Sequence, residues 1–128
     1  MIADDDLVVT TLLRASLDRD FEIVGVAADG EAAIALAGAS RPDAALIDVR
    51  MPKGGAERAV PGIVEVAPEV AIVVLSGDES ETTARKLINA GAVAYCRKGV
   101  DPDELADLLI DSIQTRAGAR ARSTEPAI

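Results

Sequence analysis

Histidine is absent from this 128-residue sequence, which removes every His-based catalytic triad and every histidine-ligated metal site. Tryptophan is also absent, and the aromatic residues are Phe21 and Tyr95, so any core is built from aliphatic side chains. A single cysteine, Cys96, excludes an internal disulfide and suits a reducing compartment. Positive charge is scarce: thirteen Lys plus Arg stand against twenty-two Asp plus Glu, a net charge of −9. A nucleic-acid surface needs a basic face, so direct nucleic-acid binding by this chain is not expected. Neither a secretory signal nor an apolar run of bilayer-spanning length is evident, and a cytoplasmic location is expected.

What is present is a chain 49% hydrophobic, enough to bury a core in one domain. Short β-like runs alternate with helical patterns. The candidate strands are Phe21 to Ala28, Ala44 to Ile47, Val70 to Leu75 and Ala92 to Cys96. The third of these is unbroken by polar residues, as expected for a parallel strand covered on both faces. Val9, Leu12, Leu13 and Leu17 form a helical stripe within Leu7 to Arg19, and Leu105, Leu108, Leu109 and Ile113 form another. Asp101-Pro102-Asp103-Glu104 reads as a helix start, as do Asp78 with Glu81 and Asp29-Gly30 before Glu31 to Ser40. Gly91 is placed to end a helix. Strand and helix alternating about five times predicts a doubly wound α/β sheet, with chemistry beyond the carboxyl ends of the strands. Residues 1–115 form the domain in this reading, and residues 116–128 form a tail or linker. Only Met1-Ile2-Ala3 precede Asp4, so the first strand spans at most about 10 Å at ~3.3 Å per residue and looks truncated.

Several polar residues stand where strands end. Asp4-Asp5-Asp6 follows the first apolar residues, Asp48 ends Ala44 to Ile47, Ser76 ends Val70 to Leu75, and Lys98 lies just past Cys96. A parallel sheet brings such groups to one edge. Crowded carboxylates repel by about 4 kcal/mol per pair at about 4 Å, so they share protons or hold a cation. Mg²⁺ favours such oxygen ligands, and a lysine and a hydroxyl would hold phosphoryl oxygens. The set suits transfer of a phosphoryl group onto a carboxylate.

These stretches, with Leu46-Ile47-Asp48-Val49-Arg50-Met51-Pro52, Val74-Leu75-Ser76-Gly77 and Gly91 to Lys98, resemble the receiver domains of two-component response regulators. The likeness covers residues 2 to 113 and is greatest to the receivers of LuxR-type regulators. It implies a flavodoxin-like three-layer sandwich with a five-stranded parallel sheet of order 2-1-3-4-5. It implies Asp48 as phosphoacceptor, with Asp4, Asp5, Asp48 and the Arg50 backbone carbonyl around Mg²⁺. Ser76 and Lys98 would contact the phosphoryl group, and Ser76 and Tyr95 would form the switch. A bacterial sensor histidine kinase or phosphotransfer protein is the implied donor, docking near the first helix. The face of the fourth helix, fifth strand and fifth helix is the implied output and homodimer surface. Such a chain is a signalling switch, catalysing only its own phosphorylation and dephosphorylation. Two departures are Gly99 after Lys98, where many receivers have proline, and Ala56, where the family commonly has glycine.

Two other readings compete. Asp4-Asp5-Asp6-Leu7-Val8 fits the Asp-x-Asp-x-Val motif of haloacid-dehalogenase-type phosphatases, with Asp4 as nucleophile and Asp6 as acid/base. That reading gives Asp48 no role and lacks the further strand ending in an acidic pair. The other is a receiver-like interaction module that takes no phosphate. Asp4 to Asp6 could also simply cap the following helix.

Overall fold

The computed structural model describes residues 1–77 and 81–123, with side chains described as far as Gly118. The expected cap at Asp78 lies outside the described residues. Five strands, β1 (Ile2–Ala3), β2 (Val26–Ala27), β3 (Ala44–Asp48), β4 (Ala71–Ser76) and β5 (Ala94–Arg97), alternate with five helices. The helices are α1 (Leu7–Leu17), α2 (Gly30–Ser40), α3 (Gly55–Val66), α4 (Glu81–Ala90) and α5 (Pro102–Ser123). The sheet is parallel with order β2-β1-β3-β4-β5, as expected.

The period-2 geometry of a strand resolves the unbroken apolar runs into two faces. Ile47, Ile72 and Val74 point to one core with Ala33 and Ala37 of α2, Val60 and Ile63 of α3 and Leu87 of α4. Leu46, Val73 and Leu75 point to the other, against Leu17 of α1 and Leu105 and Leu109 of α5. Both faces of the central strands are therefore covered, which is why no polar residue interrupts Val70 to Leu75.

The predicted second strand, Phe21 to Ala28, shortens to Val26–Ala27. Its ladder partner β1 offers only two residues, paired Ile2 with Val26 and Ala3 with Ala27. Phe21 and Ile23 still pack on the α1/α5 core, so their apolar character serves burial without pairing. β1 is as short as expected, and it is held on both sides. Ile2 N–H donates to Gly25 O at 3.1 Å, and the Met1 ammonium donates to Ala44 O at 2.9 Å.

Helix ends follow local chemistry. The Asp29 carboxylate accepts from Ala32 N–H at 2.7 Å and starts α2. Asp101 accepts from Asp103 N–H at 2.8 Å and starts α5. Gly91, at φ +126°, closes α4 as Ala92 N–H reaches back to Leu87 O and Gly91 N–H to Ile88 O, a Schellman pair. Patterning did not bound α3, because Pro61 lies inside it and Gly54-Gly55 opens it. α5 spans Pro102–Ser123 and so continues past residue 115. Arg116 contributes by donating to Pro68 O from Nε at 3.0 Å and from Nη2, tying α5 to the α3–β4 turn.

Candidate functional site

The carboxyl ends of β1, β3, β4 and β5 meet at one edge of the sheet and bring Asp4, Asp5, Asp48, Ser76 and Lys98 into one cluster. Asp48 is the last residue of β3, its side chain buried between neighbouring strands with 5% of its surface exposed. Asp4 follows β1 and is likewise buried, while Asp5 is exposed. One carboxylate oxygen from each of Asp4, Asp5 and Asp48 lies within 4.8 Å of the others.

Lys98 reaches across from the end of β5. Its Nζ lies 2.9 Å from Asp48 Oδ1 and 3.5 Å from Asp4 Oδ2. The backbone aims it: Lys98 N–H donates to Ser76 O at 2.7 Å, locking the start of the β5–α5 loop to the end of β4. Ser76 is fully buried at the end of β4 beside this bond. Tyr95 lies on β5 opposite Val74, half-buried, on the face covered by α2, α3 and α4.

Three carboxylates and one ammonium leave a formal charge of −2 in a space a few ångströms across. Burial holds the Asp48 carboxyl above its ordinary 3.8, and the charges of Asp4 and Asp5 push the same way, while Lys98 opposes them. For Lys98, burial lowers the ammonium, but the hydrogen bond and charge of Asp48 outweigh it, with Asp4 adding to them. The result lies above 10.5. The cluster is thus under-neutralised by its own lysine.

The residues fit a hard divalent cation. Asp4 Oδ1 accepts from Asp6 N–H at 2.9 Å, but among the described residues the buried Asp4 Oδ2 has no hydrogen-bond donor and only the long contact to Lys98. A buried carboxylate oxygen without a donor is costly unless a cation faces it. The all-oxygen donor set is that of Mg²⁺ or Ca²⁺.

A cleft of about 570 Å³ opens beside the cluster, lined in part by Asp5, Arg50, Met51, Glu57 and Thr83. Its floor is the β3–α3 loop, where Lys53, Gly54 and Gly55 all have positive φ. Gly55 is required: a Cβ there would stand 2.6 Å from Val49 O. Ala56 fits the loop without glycine, since it is fully buried and its N–H donates to Val49 O at 3.1 Å. The loop is also tied to α2, through Gly30 N–H to Pro52 O at 3.1 Å and the 3.9 Å pair of Lys53 with Asp29.

Of the sequence candidates, the structure gathers Asp4, Asp5, Asp48, Ser76 and Lys98, with Arg50 on the cleft wall and Tyr95 one strand away. Asp6 is turned elsewhere: its carboxylate caps α1 by accepting from Val8 N–H at 2.9 Å and Val9 N–H at 3.3 Å. The phosphatase reading needs Asp6 as acid/base and Asp48 as a bystander, and both assignments fail on this geometry. Sequence reasoning did not find Glu57 and Thr83 on the cleft, because only the packing of α3 and α4 brings them there. The Asp29–Lys53 anchor was equally invisible, lying 24 residues apart with no motif.

The same conclusion comes from known proteins. The chain is 35% identical over 124 residues to an uncharacterized transcriptional regulatory protein, YxjL, of Bacillus subtilis (strain 168), covering 95% of this chain and 54% of that protein. It is 32% identical over 110 residues to the response regulator GacA of Pseudomonas aeruginosa, covering 85% and 51% respectively. The chain thus spans about half the length of these relatives. Among solved structures, a CheY-like receiver domain protein from Methanospirillum hungatei JF-1 superposes with a TM-score of 0.85 at 22% identity, over 92% of this chain and 94% of that one. The signal receiver domain of the putative response regulator NarL from Mycobacterium tuberculosis gives 0.81 at 23%, over 88% and 93%. These two structures establish the fold. The family model of the response regulator receiver domain matches residues 1–110, and with an acidic pocket, a strand-end aspartate and an aimed lysine in place, the chain belongs to that family.

Proposed function

We propose that Asp48 is the phosphoacceptor of this receiver and that Asp4, Asp5 and Asp48 hold Mg²⁺ with the Arg50 backbone carbonyl. The observation that carries this reading is the reach of Lys98 Nζ to both Asp48 and Asp4, beside a third carboxylate within 4.8 Å. An oxygen of Asp48 attacks the phosphorus of a phosphohistidine or small phosphodonor. A P–O bond to Asp48 forms as the bond to the leaving group breaks, and the leaving nitrogen or oxygen keeps the bonding pair. When bound, Mg²⁺ neutralises phosphoryl charge and orients the incoming group. Lys98 offers an ammonium already placed at the acceptor, and Ser76 offers a hydroxyl at the adjacent strand end. Such preplaced charge is what phosphoryl transfer asks of a protein.

The donor is a sensor histidine kinase or phosphotransfer protein. Leu7, Val8 and Leu12 of α1 support this, being 79%, 68% and 63% exposed just beyond Asp5. An apolar patch beside the acceptor suits a helical partner. Phosphorylation favours the form in which Ser76 and Lys98 close on the phosphate and Tyr95 follows, changing the α4, β5 and α5 face through which a homodimer forms. The chain works as a cytoplasmic signalling switch whose catalysis is confined to its own phosphate. No helix among the described residues is long and apolar enough to cross a membrane.

The test is labelling with acetyl phosphate and Mg²⁺, followed by peptide mapping. Label on Asp48, abolished in Asp48→Asn, is expected. Label on Asp4, or undiminished labelling of the variant, would overturn the assignment.

A further inference from the structure

Arg50, whose backbone carbonyl is read above as a Mg²⁺ ligand, sits in a short span between two anchors. Upstream, Val49 N–H donates to Leu75 O at 3.1 Å, and Val49 O accepts from Ala56 N–H at 3.1 Å. Downstream, Pro52 O accepts from Gly30 N–H at 3.1 Å. The first anchor belongs to β4 and α3, which flank the site. The second belongs to α2, which contributes no residue to the charged cluster.

The turn beyond Pro52 needs such support. Lys53, Gly54 and Gly55 stand at φ +57°, +90° and +57°. A lysine disfavours that region, and such a run persists only where its surroundings over-determine it. The first turn of α2 supplies those surroundings. Asp29 Oδ2 faces Lys53 Nζ at 3.9 Å, while Oδ1 of the same carboxylate accepts from Ala32 N–H at 2.7 Å. One side chain thus fixes the start of α2 and reaches the turn. Glu31 Oε1 accepts from Arg58 Nε at 2.9 Å, and Arg58 N–H donates to Gly54 O at 3.2 Å. Residues 29, 30 and 31 therefore grip the 52–58 segment at three successive points.

We propose that Asp29 and Lys53 are positioning residues for the metal: their pair holds the left-handed turn, and with it the 50–52 span and the Arg50 carbonyl. The inference rests on the reading of that carbonyl as a Mg²⁺ ligand. Neither side chain touches the ion in this role. Charge acting at a distance makes the opposite prediction for one of them. Neutralising Asp29 would weaken the hold on a cation by either route. Neutralising Lys53 would strengthen it through charge alone, but weaken it through loss of the brace.

The experiment titrates the full chain with Mg²⁺ by calorimetry and follows acetyl phosphate labelling as a function of Mg²⁺. Asp29→Asn keeps an oxygen for the Ala32 N–H, and Lys53→Met keeps most of the stem. Each is expected to raise the Mg²⁺ dissociation constant about threefold, as befits a pair that is 66% exposed on the lysine side. The double variant should lose no more than either single, and Lys53→Arg should bind as wild type does. Half-saturating Mg²⁺ for labelling should rise in step, with the rate at saturation unchanged. Lys53→Gly removes the same charge while easing the backbone, and should weaken binding too if Lys53→Met fails to fold. Tighter binding in Lys53→Met or Lys53→Gly would overturn the proposal, as would a double variant whose loss is the product of the singles. Binding that depends on Asp4 but is indifferent to Asp29 and Lys53 would overturn the brace alone. Binding indifferent to Asp4→Asn would overturn the metal assignment, and the brace with it.

Discussion

Replacing Lys98 with methionine isolates the charge at the heart of the site, because methionine keeps most of the apolar stem while removing the ammonium. The Nζ contacts of 2.9 Å to Asp48 and 3.5 Å to Asp4 correspond to gross attractions of about 6 and about 5 kcal/mol at an effective dielectric of about 20. Desolvation of the ammonium cancels much of this. The side chain is also 35% exposed, so water screens what remains and the net loss falls to about 2 kcal/mol. For a domain of this size that is roughly 8 °C in Tm. The assay is urea unfolding at neutral pH in metal-free buffer, with wild type, Lys98→Met, Asp48→Asn and the double variant forming a cycle. Lys98→Met should cost about half as much in the Asp48→Asn background, since one of its two partners is already neutral. Added Mg²⁺ should restore part of the loss by returning a cation to the carboxylates. A Lys98→Met chain within about 0.5 kcal/mol of wild type, or an equal loss in both backgrounds, would refute the view that Lys98 neutralises this cluster.

Asp4→Asn should weaken Mg²⁺ binding by about tenfold or more, followed as the Mg²⁺-induced shift in melting temperature, with labelling of Asp48 falling in parallel. Asp6→Ala, by contrast, should cost about 1 kcal/mol of stability through loss of the α1 cap, measured by urea unfolding, and leave the site of labelling unchanged. The raised pKa of Asp48 makes its contribution favourable below 3.8 and lost as pH rises through the folded value. Metal-free Asp48→Asn should therefore be more stable than wild type at neutral pH, and the gain should shrink as melting is repeated toward pH 3.8. Gly55→Ala should destabilise by about 2 kcal/mol or more, from the clash with Val49 O and the positive φ, read by thermal melting.

The site was legible in the sequence to the extent that its residues punctuate strands. Asp48 and Ser76 each end an apolar run and Lys98 follows one, so one-dimensional pattern becomes a shared edge once the sheet is parallel. What stayed hidden depends on partners distant in sequence. Phe21 to Ala28 has the composition of a long strand, but pairing is limited by the two residues of β1, which no local pattern within 21–28 records. α3 carries Pro61 and begins in a glycine pair, so local propensity argues against the helix that burial of its Val60 and Ile63 in the core beside Ile34 secures. The helical residues after Gln114 have no apolar stripe to announce them.

The bond from Gly30 N–H to Pro52 O has a genetic consequence. A Cβ at residue 30 would stand 2.5 Å from Lys53 O, so substitution there cannot be absorbed within α2 and must displace the loop that carries Arg50. A screen for signalling-defective alleles should therefore recover residue 30 alongside residues 4, 48 and 98, although it lies outside the charged cluster. Such an allele would produce a folded protein that is deaf to its donor, and a second change that lets the 53–55 turn shift should restore its hearing.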